Sequence, residues 1–159
     1  MNEILKILRI NARESSSDIA KMLNRSQEDV EKEIGQLEKL GIIKGYQAIV
    51  DEDSLDHNKV TALIEVDVSP RREDGFDHVA RRIASFPEVT SMYLMSGNYD
   101  LLLFVVGDTL REVASFVSAK LAPLEGVNST TSHFMLKTYK NNGVLMETRE
   151  EYEKLKVTP

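Results

Sequence analysis

The chain contains no cysteine and no tryptophan. Without a thiol there is no disulfide framework, no thiolate nucleophile and no zinc ribbon; such a chain suits a reducing interior, and a cytoplasmic location is expected. Long apolar runs are also missing. The N-terminal stretch MNEILKILRINAR is amphipathic without a continuous apolar core, which argues against a signal peptide and a membrane span, so no membrane partner is expected. No glycine-rich phosphate loop is present, since Gly41 and Gly45 do not open a helix. His57, His78 and His133 match no metal-site or triad spacing, and neither a metal nor a cofactor is expected. Positive charge is scarce: 20 Lys and Arg stand against 26 Asp and Glu, a net charge of -6. That excludes nucleic-acid binding over the whole surface but leaves room for a local patch.

What is present begins with Ser15 to Tyr46, SSSDIAKMLNRSQEDVEKEIGQLEKLGIIKGY. Ser15 with Asp18, and Ser26 with Asp29, have the spacing of helix N-caps. Ile19, Ala20 and Leu23 supply the apolar side of one helix, and Val30, Ile34 and Leu37 the stripe of a second, with Asn24 and Arg25 as the break and Gly41 as the stop. Asn2 caps an earlier helix whose Ile4, Leu5 and Leu8 face inward and which ends near Asn11. Ile43 to Val50 read as a short strand that needs a partner outside its own helices, such as the same strand of a second chain. This is the outline of a winged helix-turn-helix over residues 1–50, whose second helix would enter the DNA major groove. A helical hairpin with no DNA role has the same outline.

The polar run DEDSLDHN, residues 51–58, reads as a linker. Beyond it the period changes. Val60, Ala62, Ile64, Val66 and Val68 alternate as a half-buried strand should, and Phe76, Val79, Ala80, Ile83 and Phe86 return to helical spacing. Val89 to Met95 is a second strand. Asp100 to Val106 is a third, apolar enough to be central and covered on both faces. Leu110, Val113, Ala114, Val117 and Leu121 form another helical stripe, and Asn128 to Tyr139 a fourth strand on which Thr130, Ser132, Phe134 and Leu136 share one face. The order βαββαβ over residues 59–145 predicts a ferredoxin-like antiparallel sheet with two helices on one side, making the whole chain α+β. The helix-free side needs cover, which predicts a homodimer. Residues 146–159 read as a helical tail with pairs such as Glu150 and Lys154.

Asn11-Ala12-Arg13 before the capped helix, Ile19-Ala20, Leu37-Glu38 with Gly41-Ile42-Ile43-Lys44-Gly45-Tyr46, and Ser96-Gly97-Asn98-Tyr99-Asp100 ahead of an apolar strand together resemble the Lrp/AsnC family of regulators along nearly the whole chain. The resemblance implies a transcriptional regulator rather than an enzyme. Its helix-turn-helix would bind double-stranded DNA, its ferredoxin-like domain would sense an amino acid or similar metabolite, and its dimers would build a higher oligomer such as an octamer. The family commonly has arginine where this chain has Glu33. From Gln27 to Leu40 the acids Glu28, Asp29, Glu31, Glu33 and Glu38 face only Lys32 and Lys39, so phosphate contacts are expected around this helix rather than at its centre. The DNA-contact candidates are Arg13, Lys21, Arg25, Ser26, Gln27, Glu28, Lys32, Gln36, Lys39 and Lys44.

For the effector, Gly97 and Asn98 tolerate the backbone geometry that aims N–H groups at a carboxylate, and Asp100 supplies charge for an ammonium group. With Tyr99 they form the candidate loop. The resemblance adds the hydroxyls of Thr130, Thr131 and Ser132, and Met92, Tyr93 and Met95 could form an apolar wall. Two other readings follow from the same residues. The acidic second helix suits an amino-acid-sensing module with weak or no DNA binding that acts through mixed assemblies. The resemblance also extends to haem-pathway decarboxylases of this fold, for which His78, Arg81, Arg82 and His133 are the only candidate set.

Overall fold

Three short polar side chains decide where the first helices start. Asn2 Oδ1 accepts from the Ile4 and Leu5 amides at the head of α1 (Glu3–Ile10). Ser15 Oγ accepts from the Asp18 amide at α2 (Ser16–Leu23), and Ser26 Oγ from the Asp29 amide at α3 (Gln27–Lys39). Each bond satisfies an amide that helix geometry leaves without a partner. Asn24 (φ 51°) closes α2 and Gly41 (φ 64°) closes α3, where the Ile42 amide reaches back to the Leu37 carbonyl at 2.9 Å. Left-handed backbone is least costly for Gly and Asn, which is why these residues end the helices. Ile4, Ile19, Ala20 and Val30 are buried at the centre, with Ile7, Leu8, Leu23 and Ile34 packed around them.

The structure, a computed structural model, describes residues 2–55, 59–70, 72 and 75–146. The chain divides into two compact units between Val50 and Asp51. Ile43 to Val50 do not form the expected strand: they have no regular structure, and Tyr46, Ile49 and Val50 are exposed. A strand exists through ladder bonds to a neighbour, and among the described residues this segment has none. Within the single chain the helix-turn-helix is therefore present with Ile43 to Val50 unpaired among the described residues. One turn of 3-10 helix, Glu52–Ser54, occupies the start of the expected linker; Asp56 to Asn58, with His57, lie outside the described residues.

In the second unit β1 (Val60–Val68) lies between β3 (Leu101–Gly107) and β4 (Val127–Phe134), and β2 (Val89–Leu94) flanks β3, giving the order β2-β3-β1-β4 with every pairing antiparallel. Helices α4 (Asp77–Ala84) and α5 (Leu110–Phe116) supply the two connections, and a wider helical turn, Val117–Leu121, extends α5. This is the ferredoxin-like topology. Ala62 sits opposite Val105 and Phe134, Ile64 opposite Leu103 and Ser132, and Val66 opposite Leu101 and Thr130. That register puts Ala62, Ile64, Val66, Leu101, Leu103 and Val105 on one face, where they are buried with Val79, Ile83, Val113, Phe116 and Leu121 from the helices.

Among the described residues, nothing covers the opposite face of β3. Leu102, Phe104 and Val106 are half-buried beside Leu63, and Tyr93 stacks edge-on to Phe104 with ring centroids 6.3 Å apart. An apolar strand predicts burial on both sides, but the two helices of this topology lie on one side only. The fourth strand stops at Phe134, short of Tyr139, because β1 begins at Val60 and the Met135 amide, donating to the Thr61 carbonyl, has reached the end of its partner. Leu136 is consequently 94% exposed and shares no face with Phe134. A hairpin of β5 (Lys140–Asn141) and β6 (Val144–Leu145) follows, turning at Asn142 and Gly143, both with positive φ. The tail beyond Met146, with Glu150 and Lys154, lies outside the described residues.

Ile64 is fully buried at the centre of this core. Replacing it by Ala should destabilise the second unit by about 2–5 kcal/mol, read as a lower midpoint in denaturant unfolding followed by circular dichroism. A shift near zero would mean that the β1 register is not as described.

Candidate DNA-facing helix and effector loop

Helix α3 buries Val30 and Leu37, with Ile34 half-buried between them. At about 100° per residue, the side opposite this stripe carries Glu28, Lys32, Gly35 and Lys39, with Gln36 next to them. Glu28, Lys32, Gln36 and Lys39 are exposed, and the space in front of the Gly35 Cα is open. Lys32 and Lys39 thus lie at the centre of the outer face, not around its edge as expected from the sequence.

Four of the five acids fall on the flanks, each with a partner inside the unit. Glu33 Oε1 accepts from Asn2 Nδ2 at 2.6 Å, and its Oε2 pairs with Arg25 Nη2 at 2.7 Å. The Asn2 amide, and after it the Arg25 guanidinium, hold the Glu33 carboxyl below the usual carboxylate range. Glu31 accepts from Gln27 Nε2 at 2.7 Å and from Ser16 Oγ at 2.9 Å, which likewise lower its pKa. Glu38 accepts from the Tyr46 hydroxyl at 2.9 Å, and Asp29 from Ser26 Oγ at 2.6 Å. Only Glu28 among the five acids faces outward with the lysines.

The other DNA candidates lie on neighbouring elements. Ser26 and Gln27 begin α3 and are engaged by Asp29 and Glu31. Arg25 is in the α2–α3 turn, held by Glu33. Lys21 on α2 pairs with Asp18 at 2.8 Å, while Arg13 and Lys44 are exposed in the segments before α2 and after α3. Along one flank of α3 a groove of about 440 Å³ is lined by Asn2, Arg25, Asp29, Lys32, Glu33 and Gln36. No local pattern signals that Asn2 reaches Glu33, because the two are 31 residues apart.

In the second unit the loop after β2 is closed by backbone: the Met95 amide donates to the Asp100 carbonyl at 2.8 Å, and the Asp100 amide to the Val66 carbonyl at 3.2 Å. Asp100 Oδ2 accepts from the Val68 amide at 2.9 Å, so this carboxylate also has an architectural duty. Met95, Gly97 and Asn98 are exposed, Tyr99 and Asp100 half-buried. The three hydroxyls cannot act together from one face. Thr130 and Ser132 lie on the helix side, opposite Val66 and Ile64, and Thr131 lies on the open side opposite Glu65, as strand alternation requires. Met92 and Tyr93 are split in the same way: Met92 packs on the core, while Tyr93 joins Phe104 on the open face.

The decarboxylase set does not assemble. His78, Arg81 and Arg82 are on α4, which covers one face, whereas His133 is on the other, 3.3 Å from Glu65. No group of three or more potential metal ligands occurs among the described residues.

A helix-turn-helix with a cationic outer stripe, followed by a ferredoxin-like unit, is the build of a DNA-binding regulator with a ligand-sensing domain. Residues 61–145 match the Lrp/AsnC ligand binding domain, and the chain belongs to the Lrp/AsnC family of transcriptional regulators. It is 46% identical, over 99% of its length and 95% of the relative's, to the uncharacterized HTH-type transcriptional regulator YugG of Bacillus subtilis. It is 26% identical to the leucine-responsive regulatory protein of Haemophilus influenzae, over 91% of this chain and 86% of that one. Among solved structures, the complex of the Neisseria meningitidis transcriptional regulator NMB0573 with L-Met shares 25% identity at a TM-score of 0.69, covering 89% of this chain and 93% of that one.

Asp100→Ala leaves the amide of the buried Val68 without its acceptor. It should lower the stability of the second unit by about 1–3 kcal/mol in denaturant unfolding, with Asp100→Asn recovering most of the loss because an amide oxygen can still accept. Equal stability of the alanine variant and the native chain would show that the Asp100 bond carries no architectural weight.

Proposed function

We propose that this regulator binds duplex DNA through the outer stripe of α3, with Lys32 and Lys39 on phosphates and Gln36 and Glu28 toward base edges, and with Arg13, Lys21 and Lys44 contributing from the flanks. The observation that carries the reading is the separation of charge on α3: Glu31, Glu33 and Glu38 are bonded inside the unit, so the helix that sums to an acidic total presents two lysines outward. Phosphate neutralisation supplies non-specific affinity, and a glutamate can accept from cytosine. Ser26 and Gln27 stand at the helix N-terminus, where a phosphate is favoured.

The effector is an amino acid or a close metabolite, held at Gly97, Asn98, Tyr99 and Asp100 with Met95 beside them. One oxygen of Asp100 holds the Val68 amide, and the other has no protein partner among the described residues and serves an ammonium group. From β4 only Thr131, or the Thr130–Ser132 pair, contributes, because the two sets face opposite ways. A second copy of the chain covers the open sheet face, and the dimers build a larger cytoplasmic assembly in which the effector shifts DNA affinity.

Fluorescence anisotropy against the protein's own upstream DNA and a scrambled duplex, at two salt concentrations, tests the DNA reading. Lys32→Ala and Lys39→Ala should each weaken binding and flatten the slope of log affinity against log salt by roughly 0.9. No retention of the native chain at low salt would instead favour the amino-acid-sensing module without DNA affinity. For the effector, calorimetry with the standard amino acids should give heat with at least one of them; silence from all of them would make the loop purely architectural.

A further inference from the structure

The geometry points to Glu33 as an internal counter-ion that occupies Arg25 in the place of a DNA phosphate, and so restrains the non-specific affinity of the helix-turn-helix. This rests on the DNA reading above and deepens it.

Arg25 stands in the turn just before α3 and lines the groove along its flank with Lys32 and Gln36, the side from which a phosphate strand would meet these residues. Its guanidinium is not free to do so, since Nη2 lies 2.7 Å from Glu33 Oε2. The pair is partly sheltered, with side-chain exposures of 35% and 28%. The carboxylate is also pinned: Glu33 Oε1 takes the Asn2 side-chain amide at 2.6 Å, while the oxygen of that same amide group caps α1. Glu33 therefore cannot swing off Arg25 without disturbing the start of α1. A cation already neutralised by a fixed carboxylate releases no counterion when a phosphate approaches, and the carboxylate repels that phosphate. Glu31 carries the same charge on the same helix but, among the described residues, binds Ser16 and Gln27 and no cation. It is the charge-matched control.

The experiment is anisotropy of the full-length protein on a duplex of arbitrary sequence across a salt series, with folding checked by circular dichroism. Glu33→Gln keeps an oxygen for Asn2 and removes the charge from Arg25. It should tighten binding at low salt and steepen the slope of log affinity against log salt by roughly 0.9, the value of one added phosphate contact. Glu31→Gln should not steepen it, and in an Arg25→Ala background Glu33→Gln should no longer steepen it either. Arg25→Ala alone should leave the native slope unchanged, which tests the idea even if Glu33→Gln folds poorly. The inference is overturned if the slope flattens by roughly 0.9 in Arg25→Ala, or if Glu33→Gln matches Glu31→Gln. If the native chain binds and its slope is indifferent to Glu33, only this inference fails; if neither native chain nor Glu33→Gln binds at low salt, the DNA reading fails with it.

Discussion

The alternation of β1 is the constraint on which the second unit depends. Ala62, Ile64, Val66 and Val68 are buried because every second residue of a strand points the same way, and the strand has neighbours on both edges to hold it flat against α4 and α5. The same alternation commits Leu63, Glu65 and Asp67 to the other side, next to Leu102 and Phe104 of β3 and Thr131 and His133 of β4. A one-residue slip would exchange the two sets and place Glu65 among the leucines of the core, so the register is strongly fixed. It also decides what a ligand or a second chain can reach. The open face is a mixed surface, aromatic and aliphatic toward β2 and β3, charged and hydroxylic toward β4.

In the first unit the comparable constraint is capping. Its helices are short and bury few residues, so amides satisfied by Asn2, Ser15 and Ser26 matter more than they would in a large core. Asn2 has two duties, since its oxygen starts α1 while its nitrogen holds Glu33 of α3. One side chain thus links helix initiation to helix packing. The acids of α3 do similar work: Glu31 ties α3 to α2 through Ser16, and Glu38 reaches Tyr46 beyond the helix end. Their charge serves cohesion inside the unit and leaves the outer stripe to the lysines and Glu28.

These particulars explain what could be read from the sequence. The caps, the helix-ending Asn24 and Gly41, the alternation of β1 and the βαββαβ order are all local signals, legible within a few residues, and the structure has them. Ile43 to Val50 carried strand-forming residues, but a ladder needs a partner that local pattern does not supply. The end of β4 was misjudged for the same reason, because the length of β1, not the composition of Met135 to Tyr139, determines where pairing stops. The β5–β6 hairpin had a signal in Asn142-Gly143 that strands of two residues each were too short to reinforce. For α3, a sum of charges along the sequence says nothing of where each acid is held, since Glu33 meets Asn2 and Glu31 meets Ser16 across 31 and 15 positions. Thr130 to Ser132 needed no structure to be separated. Their alternation was already implied by placing them on a strand.

The position of Asp100 bears on how an effector at the proposed loop could be felt elsewhere. A ligand shifts an equilibrium only by the difference in its affinity for the two states, so it must touch something that changes between them. Asp100 is bonded through one oxygen to the Val68 amide and through its own amide to the Val66 carbonyl, both on β1. An ammonium group on its second oxygen would therefore act on a residue that fastens β1 at its end, rather than on a loop that moves alone. The neighbouring residues of that strand, Glu65 and Asp67, contribute to the open face proposed to meet a second chain. The proposed effector loop and the proposed pairing surface would in this way be joined through a single closely packed strand, which favours a change between discrete arrangements over a graded one.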